Sequence, residues 1–169
     1  LKNLGANVSG ISIGAPTEPS CSNATNLLDY VDDYFLDICD VDSLRTLVDK
    51  IQPDFVFHLA AQSLVGLSYK NPTTTWQTNV FGTLNILEAI RKLKNVCNVV
   101  IITSDKCYFN REIHYGYKET DILGGKDPYS GSKASAELLV KSYISSFFSN
   151  NKTNGATVKK PTKNRTELK

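Results

Sequence analysis

The amino-acid sequence predicts an α/β protein with an open, parallel, doubly wound sheet, and three observations lead to this fold class. Short apolar runs alternate along the chain with longer segments whose apolar residues recur at helical spacing. The run over 54–61 is almost continuously apolar, which is typical of a parallel strand buried on both faces. The length of 169 residues and the apolar content of 41% suit one ordinary hydrophobic core.

We expect strands at 6–13, 34–38, 54–61 and 99–103. The first long helix follows the second strand, where Asp40 is suited to cap it and Pro53 ends it. Its apolar residues follow the spacing i, i+3, i+4, i+7 and are Leu44, Leu47, Val48 and Ile51. A loop is expected over 15–26, where Pro, Ser, Thr and Asn are frequent.

Two more helices complete the pattern. The first begins near Pro72 and ends among basic residues near Lys94, which suit a helix C-terminus. The second runs from about 128 to 148 and has a proline in its first turn. The residues predicted to face the core are Trp76, Val80, Leu84 and Leu87 in the former helix, and Ala136, Val140, Tyr143, Ile144 and Phe147 in the latter.

Composition divides the chain into a folded domain over 1–149 and a basic tail over 150–169, which is expected to be disordered because it has few apolar residues to bury. Residues 151–169 hold six Lys or Arg and one Glu, which leaves residues 1–150 with a net charge of −3. The folded part is therefore mildly acidic, which argues against a nucleic-acid surface. Methionine is absent, so we expect the true start of the chain to lie upstream.

No segment has the length of a membrane span, and the first residues lack the pattern of a signal peptide, so the expected location is cytoplasmic. The four cysteines form no CxxC pair and are expected to be free thiols. They are Cys21, Cys39, Cys97 and Cys107. His58 and His114 lie far apart in the sequence, and no cluster of Cys and His predicts a metal site.

Ligands of open parallel sheets bind beyond the carboxyl ends of the strands, so the residues after each predicted strand form the candidate site. The four strand ends read Ser12-Ile13-Gly14, Asp37-Ile38, His58-Leu59-Ala60-Ala61-Gln62 and Ser104-Asp105-Lys106. Small residues after the third strand would let a flat cofactor approach the backbone. Ala60 and Ala61 equally suit plain packing, and Asp37 suits helix capping.

Tyr129 and Lys133 are four residues apart near the start of the last helix, so they share one helix face. A cation beside a phenol stabilises the phenolate, which favours a general base. The chain has eight tyrosines and many lysines, so this spacing alone carries little weight. The polar strand end at Ser104 precedes Tyr129 by 25 residues and supplies the missing context.

Several separate segments together make the chain similar to the extended short-chain dehydrogenase/reductase superfamily. They are Asp37 after a strand, His58-Leu59-Ala60-Ala61, Thr78-Asn79-Val80-Phe81-Gly82-Thr83, Ser104, and Tyr129 with Lys133. Within the superfamily, the segments 102–108 and 124–130 resemble those of CDP-glucose 4,6-dehydratases. Most nucleotide-sugar 4,6-dehydratases carry Asp-Glu where this chain has Asp105-Lys106. The resemblance covers about residues 4–149 and implies a Rossmann-like, N-terminally truncated, partial NAD-binding domain.

The resemblance implies an NAD-dependent lyase that removes water from a nucleotide sugar, CDP-glucose, through a 4-keto intermediate. It implies that Tyr129 is the base at the 4-hydroxyl, that Lys133 holds the nicotinamide ribose and that Ser104 hydrogen-bonds the 4-hydroxyl. Asp105 would protonate the departing 6-hydroxyl, and Lys106 would assist proton removal at carbon 5. The implied cofactor-binding residues are Asp37, Ile38, Leu59, Ala60, Ala61, Gln62, Asn79, Thr103, Tyr129 and Lys133. The implied partners are the nucleotide sugar and further copies of the chain in a homo-oligomer, without nucleic acid or membrane.

Each candidate also suits an ordinary structural role. Asp105 suits a turn cap, Lys106 a solvated lysine and Ser104 a strand-end hydroxyl, and we interpret His58 as a core imidazole. The glycine-rich turn that binds the pyrophosphate in this superfamily has no counterpart in the chain, so we expect the isolated chain to bind NAD weakly. The preference for NAD over NADP rests on the resemblance. The alternatives are a non-catalytic remnant and a related nucleotide-sugar epimerase or reductase.

Overall fold

The computed structural model describes residues 1–15 and 17–148 and the backbone of residues 157–158. Its strands are β1 (Ser9–Ser12), β2 (Asp32–Phe35), β3 (Phe55–His58), β4 (Asn98–Ile101) and β5 (Thr157–Val158). Its α-helices are α1 (Cys21–Ala24), α2 (Val41–Ile51), α3 (Val65–Lys70), α4 (Pro72–Trp76), α5 (Thr83–Arg91) and α6 (Pro128–Tyr143). Short 3-10 turns occupy Lys2–Leu4, Leu27–Asp29 and Asp105–Cys107, and π-helical segments occupy Gln77–Gly82 and Ile144–Phe148. The rest of the predicted tail over 150–169 lies outside the described residues.

All paired strands are parallel, as predicted, but the described strands form two sheets. β1 pairs with β2, and β4 lies between β3 and β5. Helix α2 connects β2 to β3, and the helices from α3 to α5 connect β3 to β4. The connection from β3 to β4 is a helical crossover between paired parallel strands, and every described strand pair is parallel, so the predicted α/β fold class is confirmed.

The third strand is covered on only one face in the described part of the chain. His58 is buried and Val56 packs against the core, whereas Phe55 and Phe57 on the opposite face are exposed. The prediction of burial on both faces is therefore wrong. An apolar run shows what a strand is able to bury, but actual burial depends on a second layer of structure opposite each face.

The remaining strands are shorter than the predicted runs, and two of them are displaced towards the N-terminus. β2 begins at Asp32, which pairs with Ser9, and β4 begins at Asn98. The predicted loop over 15–26 contains the short helix α1, which is capped by the Ser20 hydroxyl. Strand boundaries depend on hydrogen bonding to a neighbour, which the apolar pattern alone does not record.

Helix α2 follows the prediction at both ends. The Asp40 side chain caps its first turn by accepting a hydrogen bond from the Ser43 amide, 3.2 Å away. Leu44 and Val48 are buried, and Gln52 ends the helix in the left-handed conformation just before Pro53. The α-helical spacing of the apolar residues therefore predicts the buried face correctly in this regular helix.

The predicted helix from Pro72 is continuous through α4, the π-helical segment and α5. Its predicted apolar face is wrong in the first half, because Trp76 is exposed whereas Thr75, Asn79 and Thr83 are buried. A π turn holds more residues than an α turn and so changes which side chains point inward. The regular spacing assumed for Trp76 and the following apolar residues therefore fails at this segment.

Buried residues of α2, α5, β4 and the segments that flank β2 and β4 form the main core. Its members are Ile38, Leu44, Val48, Ile86, Ala89, Ile90, Leu93, Cys97 and Val99. Helix α6 agrees with the prediction at Ala136 and Val140, which are buried, and at Tyr143, which is half-buried. The predicted inward position of Phe147 is wrong, because this residue is exposed in the π-helical segment that follows α6, where the regular helical period no longer holds. Helix α5 packs against both α2 and α6, and α6 packs against the turn that follows β4.

Gly82 permits close packing between the central helix and the segment that follows β2. A Cβ atom at Gly82 would overlap the Ile38 side chain, so we expect Gly82→Ala to lower the free energy of unfolding by about 1–3 kcal/mol. Chemical denaturation measures this change. Gly116→Ala is the control, because a Cβ there meets open space. Equal stability of the two variants would contradict the packing role, and Ile38→Val should partly relieve the Gly82→Ala defect.

Candidate active site

The candidate site lies where the segments after β3 and β4 meet the first turns of α6. β3 and β4 are in register, with His58 beside Ile101, so their carboxyl ends meet at one edge of the sheet. The 3-10 turn Asp105–Cys107 packs directly against α6. The structure therefore brings the polar strand end after β4 to the helix that carries Tyr129 and Lys133, as the sequence predicted.

Ser104 organises the turn after β4. Its hydroxyl oxygen accepts a hydrogen bond from the Lys106 amide at 3.2 Å, and the hydroxyl donates to Asp105 Oδ1 at 3.1 Å. Ser104 thus caps the turn, a role that the sequence also allowed for Asp105. The side chains of Asp105 and Lys106 remain exposed at the surface of the site.

Asp127 fixes the beginning of α6 beside this turn. Its carboxylate accepts hydrogen bonds from the Ser130 amide at 2.9 Å and from the Ser130 hydroxyl at 2.6 Å. Burial acts to raise the pKa of Asp127, but the hydrogen bonds from Ser130 and the nearby charge of Lys106 outweigh it, so this pKa lies below its usual value.

Tyr129 and Lys133 occupy consecutive turns of α6 and are both buried, with 8% and 6% of their surfaces exposed. Burial lowers the pKa of Lys133 from its usual value. Among the residues that the structure describes, Lys133 has no carboxylate partner. A buried ammonium without a counter-ion is costly unless polar groups contact it, so this position suits the hydroxyl groups of a bound ligand.

His58 is a buried neutral imidazole in a hydrogen-bonded pair with Thr83. The Thr83 hydroxyl donates its single hydrogen to the Asn79 carbonyl at 2.7 Å, so it accepts from His58 Nε2, 3.0 Å away. Burial, and secondarily the charge of Lys133, lowers the pKa of His58 to about 4. This arrangement agrees with the interpretation of His58 as a core imidazole.

The low pKa of His58 predicts acid sensitivity of the fold. In the unfolded chain this histidine is protonated below its usual pKa of 6.5, whereas the folded His58 stays neutral until about pH 4. Protonation therefore favours the unfolded state, and the free energy of unfolding falls as the pH decreases from 6.5 to 4. We expect a loss of about 2–3 kcal/mol between pH 7 and pH 4 from this residue. Urea denaturation across this range measures it.

Substitution of His58 tests this acid sensitivity, and substitution of His114, the second histidine of the chain, is the control. His58→Gln should flatten the dependence of stability on pH between 6.5 and 4, because the titrating group is gone. His114 is exposed, so His114→Gln should leave the dependence as it is. The same pH dependence in His58→Gln and the unmodified chain would show that His58 is not the responsible group.

The loop after β3 is held by side-chain amides. Asn79 pairs with the backbone of Gln62 through two hydrogen bonds of 2.8 and 3.0 Å. The Gln62 side chain bonds in turn to Thr75 and Leu64. Both predicted cofactor residues therefore use their polar groups to shape the loop, on which Leu59 is exposed.

The other predicted cofactor residues lie at the ends of the strands. Asp37 is exposed and its carboxylate accepts a hydrogen bond from the Cys39 amide at 2.8 Å, whereas Ile38 is buried in the core. Thr103 follows β4 and donates a hydrogen bond of 2.6 Å to Glu137 of α6. Ala60 is exposed and Ala61 half-buried on the loop after β3.

Several polar residues that hold the site together had no role predicted from the sequence. Thr75, Thr83 and Ser132 are buried, and Glu137 anchors α6 to the end of β4. A signal for the first two was present, because Thr75, Asn79 and Thr83 recur every four residues on a helix with apolar neighbours. Polar residues at core spacing indicate a buried hydrogen-bond network.

The described residues contain no group of three or more Cys, His, Asp or Glu side chains that could hold a metal ion. None of the four cysteines forms a disulfide among the described residues, and Cys97 and Cys107 are buried. Among the same residues, no helix is both long enough and apolar enough to cross a membrane.

Comparison with known proteins matches this chain to one family. The model of the family described as GDP-mannose 4,6 dehydratase matches residues 20–163. CDP-glucose 4,6-dehydratase of Salmonella typhimurium is 46% identical over 148 residues, which are 88% of this chain and 41% of that enzyme. dTDP-D-glucose 4,6-dehydratase of Dictyostelium discoideum is 32% identical, over 75% of this chain and 32% of that enzyme.

Solved structures show the same fold. The dTDP-glucose 4,6-dehydratase DesIV of Streptomyces venezuelae superposes with a TM-score of 0.73 at 24% identity, covering 91% of this chain and 45% of that one. The chain therefore spans less than half the length of these relatives. The parallel fold and the site around Tyr129 and Lys133 define a member of the extended short-chain dehydrogenase/reductase superfamily. Within it, the chain belongs to the GDP-mannose 4,6 dehydratase family.

Proposed function

We propose that the residues of this chain serve the NAD-dependent dehydration of CDP-glucose to CDP-4-keto-6-deoxyglucose. The observation that carries this proposal is the packing of the Asp105–Cys107 turn against α6, which holds Asp105 and Lys106 beside the helix of Tyr129 and Lys133. An elimination needs an acid and a base in addition to the groups that oxidise the sugar. The 46% identity to a CDP-glucose 4,6-dehydratase supports the same reaction and nucleotide.

The fit of this site to NAD rests on Lys133 and the loop after β3. The buried ammonium of Lys133 has no carboxylate partner among the described residues, which suits contact with the hydroxyls of the nicotinamide ribose. The exposed Leu59 and Ala60 leave the loop backbone open to a flat ligand. When bound, NAD would supply a hydride acceptor for oxidation at carbon 4 and, in its reduced form, a hydride donor for carbon 6.

The side chains of α6 and the turn after β4 divide the proton transfers between them. Tyr129 accepts the proton of the 4-hydroxyl, and Ser104 offers a hydrogen bond to the same oxygen. The resulting 4-keto group acidifies the proton on carbon 5, which Lys106 helps to remove. Asp105 donates a proton to the 6-hydroxyl, so that water leaves from carbons 5 and 6 and a double bond forms between them.

The residues after the strand ends are further candidates for the cofactor site. Asp37 and Ile38 lie at the end of β2, and Thr103 follows β4. Asn79 and Gln62 act by fixing the loop on which Ala61 stands. In this proposal Asn79, Gln62 and the buried Ile38 shape the cofactor site. The residues proposed to contact the cofactor are Asp37, Leu59, Ala60, Thr103 and Lys133.

We further propose that the complete protein works in the cytoplasm as a homo-oligomer, in the biosynthesis of a polysaccharide that contains a deoxysugar. Two features support a partner surface on the helices. Phe81 on the π-helical segment and Leu138 on α6 are more than half exposed, at 56% and 57%. Large exposed apolar side chains are typical of surfaces that pack against another chain.

A chimera tests the proposed reaction. The residues of this chain that match the Salmonella typhimurium CDP-glucose 4,6-dehydratase replace their counterparts in that enzyme, and the product from CDP-glucose is analysed by mass spectrometry. We expect loss of one water from the sugar. An isomer of unchanged mass would indicate an epimerase instead, and complete inactivity of a folded chimera would indicate a non-catalytic remnant. GDP-mannose and dTDP-glucose test the choice of nucleotide.

A further inference from the structure

We infer that Ser132 is a positioning residue, which holds the helix turn of Tyr129 and Lys133 in register with the loop after β3. For its catalytic consequence this inference rests on the proposed function. It is carried by a chain of buried hydrogen bonds from Ser132 through Asn79 to Gln62, which joins α6, the π-helical segment and the loop.

The Ser132 hydroxyl links two elements of the site. Ser132 is completely buried, its hydroxyl donates to the Tyr129 carbonyl at 2.7 Å, and its oxygen accepts from Asn79 Nδ2 at 2.9 Å. A hydroxyl has one hydrogen to donate, so the bond to Tyr129 leaves the oxygen free to accept the second bond. The turn between Tyr129 and Lys133 is thereby tied to the π-helical segment.

The Asn79 amide has only one orientation that satisfies its neighbours. Its Oδ1 accepts from the Gln62 amide at 2.8 Å, and its Nδ2 donates to the Gln62 carbonyl at 3.0 Å and to Ser132. If the amide were rotated by half a turn, its Nδ2 would face the backbone N–H of Gln62, and two hydrogen-bond donors would meet. Every hydrogen of the Asn79 side-chain amide is therefore in use, in a position that is 2% exposed.

Loss of the Ser132 hydroxyl would leave one Asn79 N–H without an acceptor in the core. Helix α6 would keep its own backbone hydrogen bonds, so the helix itself persists. The unpaired donor is relieved only if the Asn79 amide turns away from Gln62 or if α6 moves. Either movement displaces Tyr129 and Lys133 relative to the loop after β3.

Ser68 provides a matched control on helix α3, which also packs against α6. It is completely buried, and its hydroxyl donates to the Val65 carbonyl at 2.7 Å, three residues earlier, as the Ser132 hydroxyl does to Tyr129. In the described part of the chain it has no counterpart of the bond from Asn79. Comparing the two alanine variants therefore isolates that bond from the general cost of removing a buried serine hydroxyl.

The first arm of the test measures hydrogen exchange in the full 169-residue chain. We expect the Gln62 amide to exchange about tenfold faster in Ser132→Ala, because its acceptor Asn79 is no longer held, and to be unchanged in Ser68→Ala. Ser132→Thr, which keeps the hydroxyl, should restore protection. If Ser132→Ala does not fold, Ser132→Cys is measured in its place. Equal exchange in the Ser132 and Ser68 variants would overturn the inference.

The second arm measures kinetics in the chimera with CDP-glucose. We expect Ser132→Ala to lower kcat by on the order of 10- to 100-fold with little change in KM, because Ser132 places reacting groups without touching the substrate. Ser132→Thr should recover activity, and Ser68→Ala should keep it. An unchanged kcat in Ser132→Ala would overturn the inference. An inactive unmodified chimera would instead refute the proposed function, and the exchange arm would then decide the coupling alone.

Discussion

Replacement of Tyr129 by phenylalanine in the chimera is expected to lower turnover of CDP-glucose on the order of 10⁴-fold. The ring stays in its buried position at the start of α6, but the group that accepts the 4-hydroxyl proton is gone. Without that proton transfer, oxidation at carbon 4 does not begin, so neither half-reaction proceeds. A single-turnover measurement should show no reduced nicotinamide.

Tyr69 supplies the control for this substitution. It lies on α3 with 65% of its surface exposed, and Tyr69→Phe should retain full turnover. If Tyr129→Phe formed reduced nicotinamide at the rate of the unmodified chimera, Tyr129 would not be the base. Its position on the same helix face as Lys133 would then have no catalytic meaning.

Replacement of Lys106 by alanine is expected to slow turnover about 10²–10⁴-fold by a different route. The side chain is exposed on the turn after β4, so its removal leaves Tyr129 and Lys133 in place. Oxidation at carbon 4 continues while proton removal at carbon 5 becomes slow. Reduced nicotinamide should therefore accumulate transiently in a single turnover, whereas it stays absent in Tyr129→Phe.

Lys94 is the matched control for the lysine substitution. It is also exposed, beyond the end of α5 and in the segment before β4, and Lys94→Ala should behave like the unmodified chimera. Loss of oxidation in Lys106→Ala, or unaltered turnover, would contradict the assignment of Lys106 to the elimination step.

Elements with regular spacing and a clear cap were predictable from the sequence. Helix α2 begins after Asp40 and ends before Pro53 because capping and proline act locally. The face of β3 that carries Phe57 could not be predicted, since its exposure depends on what lies opposite the sheet. The π-helical segment Gln77–Gly82 also escaped the pattern, because its turns break the regular helical period.

The catalytic candidates could be proposed from the sequence because they stand in local motifs, whereas the residues that hold these motifs in place could not. Tyr129 and Lys133 stand in a local motif, and the packing of α6 on the Asp105–Cys107 turn agrees with it. Asn79 and Ser132 are 53 residues apart, and their hydrogen bond exists only once the chain is folded. The spacing of Asn79 with Thr75 and Thr83 indicates that Asn79 is buried, but no pattern in the sequence shows that its partner is Ser132.

The most direct test of the proposed reaction follows one hydrogen of the substrate. CDP-glucose that carries deuterium at carbon 4 is converted by the unmodified chimera, and the position of the label in the product is read by nuclear magnetic resonance. If the chimera is a 4,6-dehydratase that uses Tyr129, Lys106 and Asp105 as proposed, the hydride removed from carbon 4 returns at carbon 6. We therefore expect deuterium in the new methyl group at carbon 6. A product with the deuterium still at carbon 4, or with no deuterium at carbon 6, would contradict it.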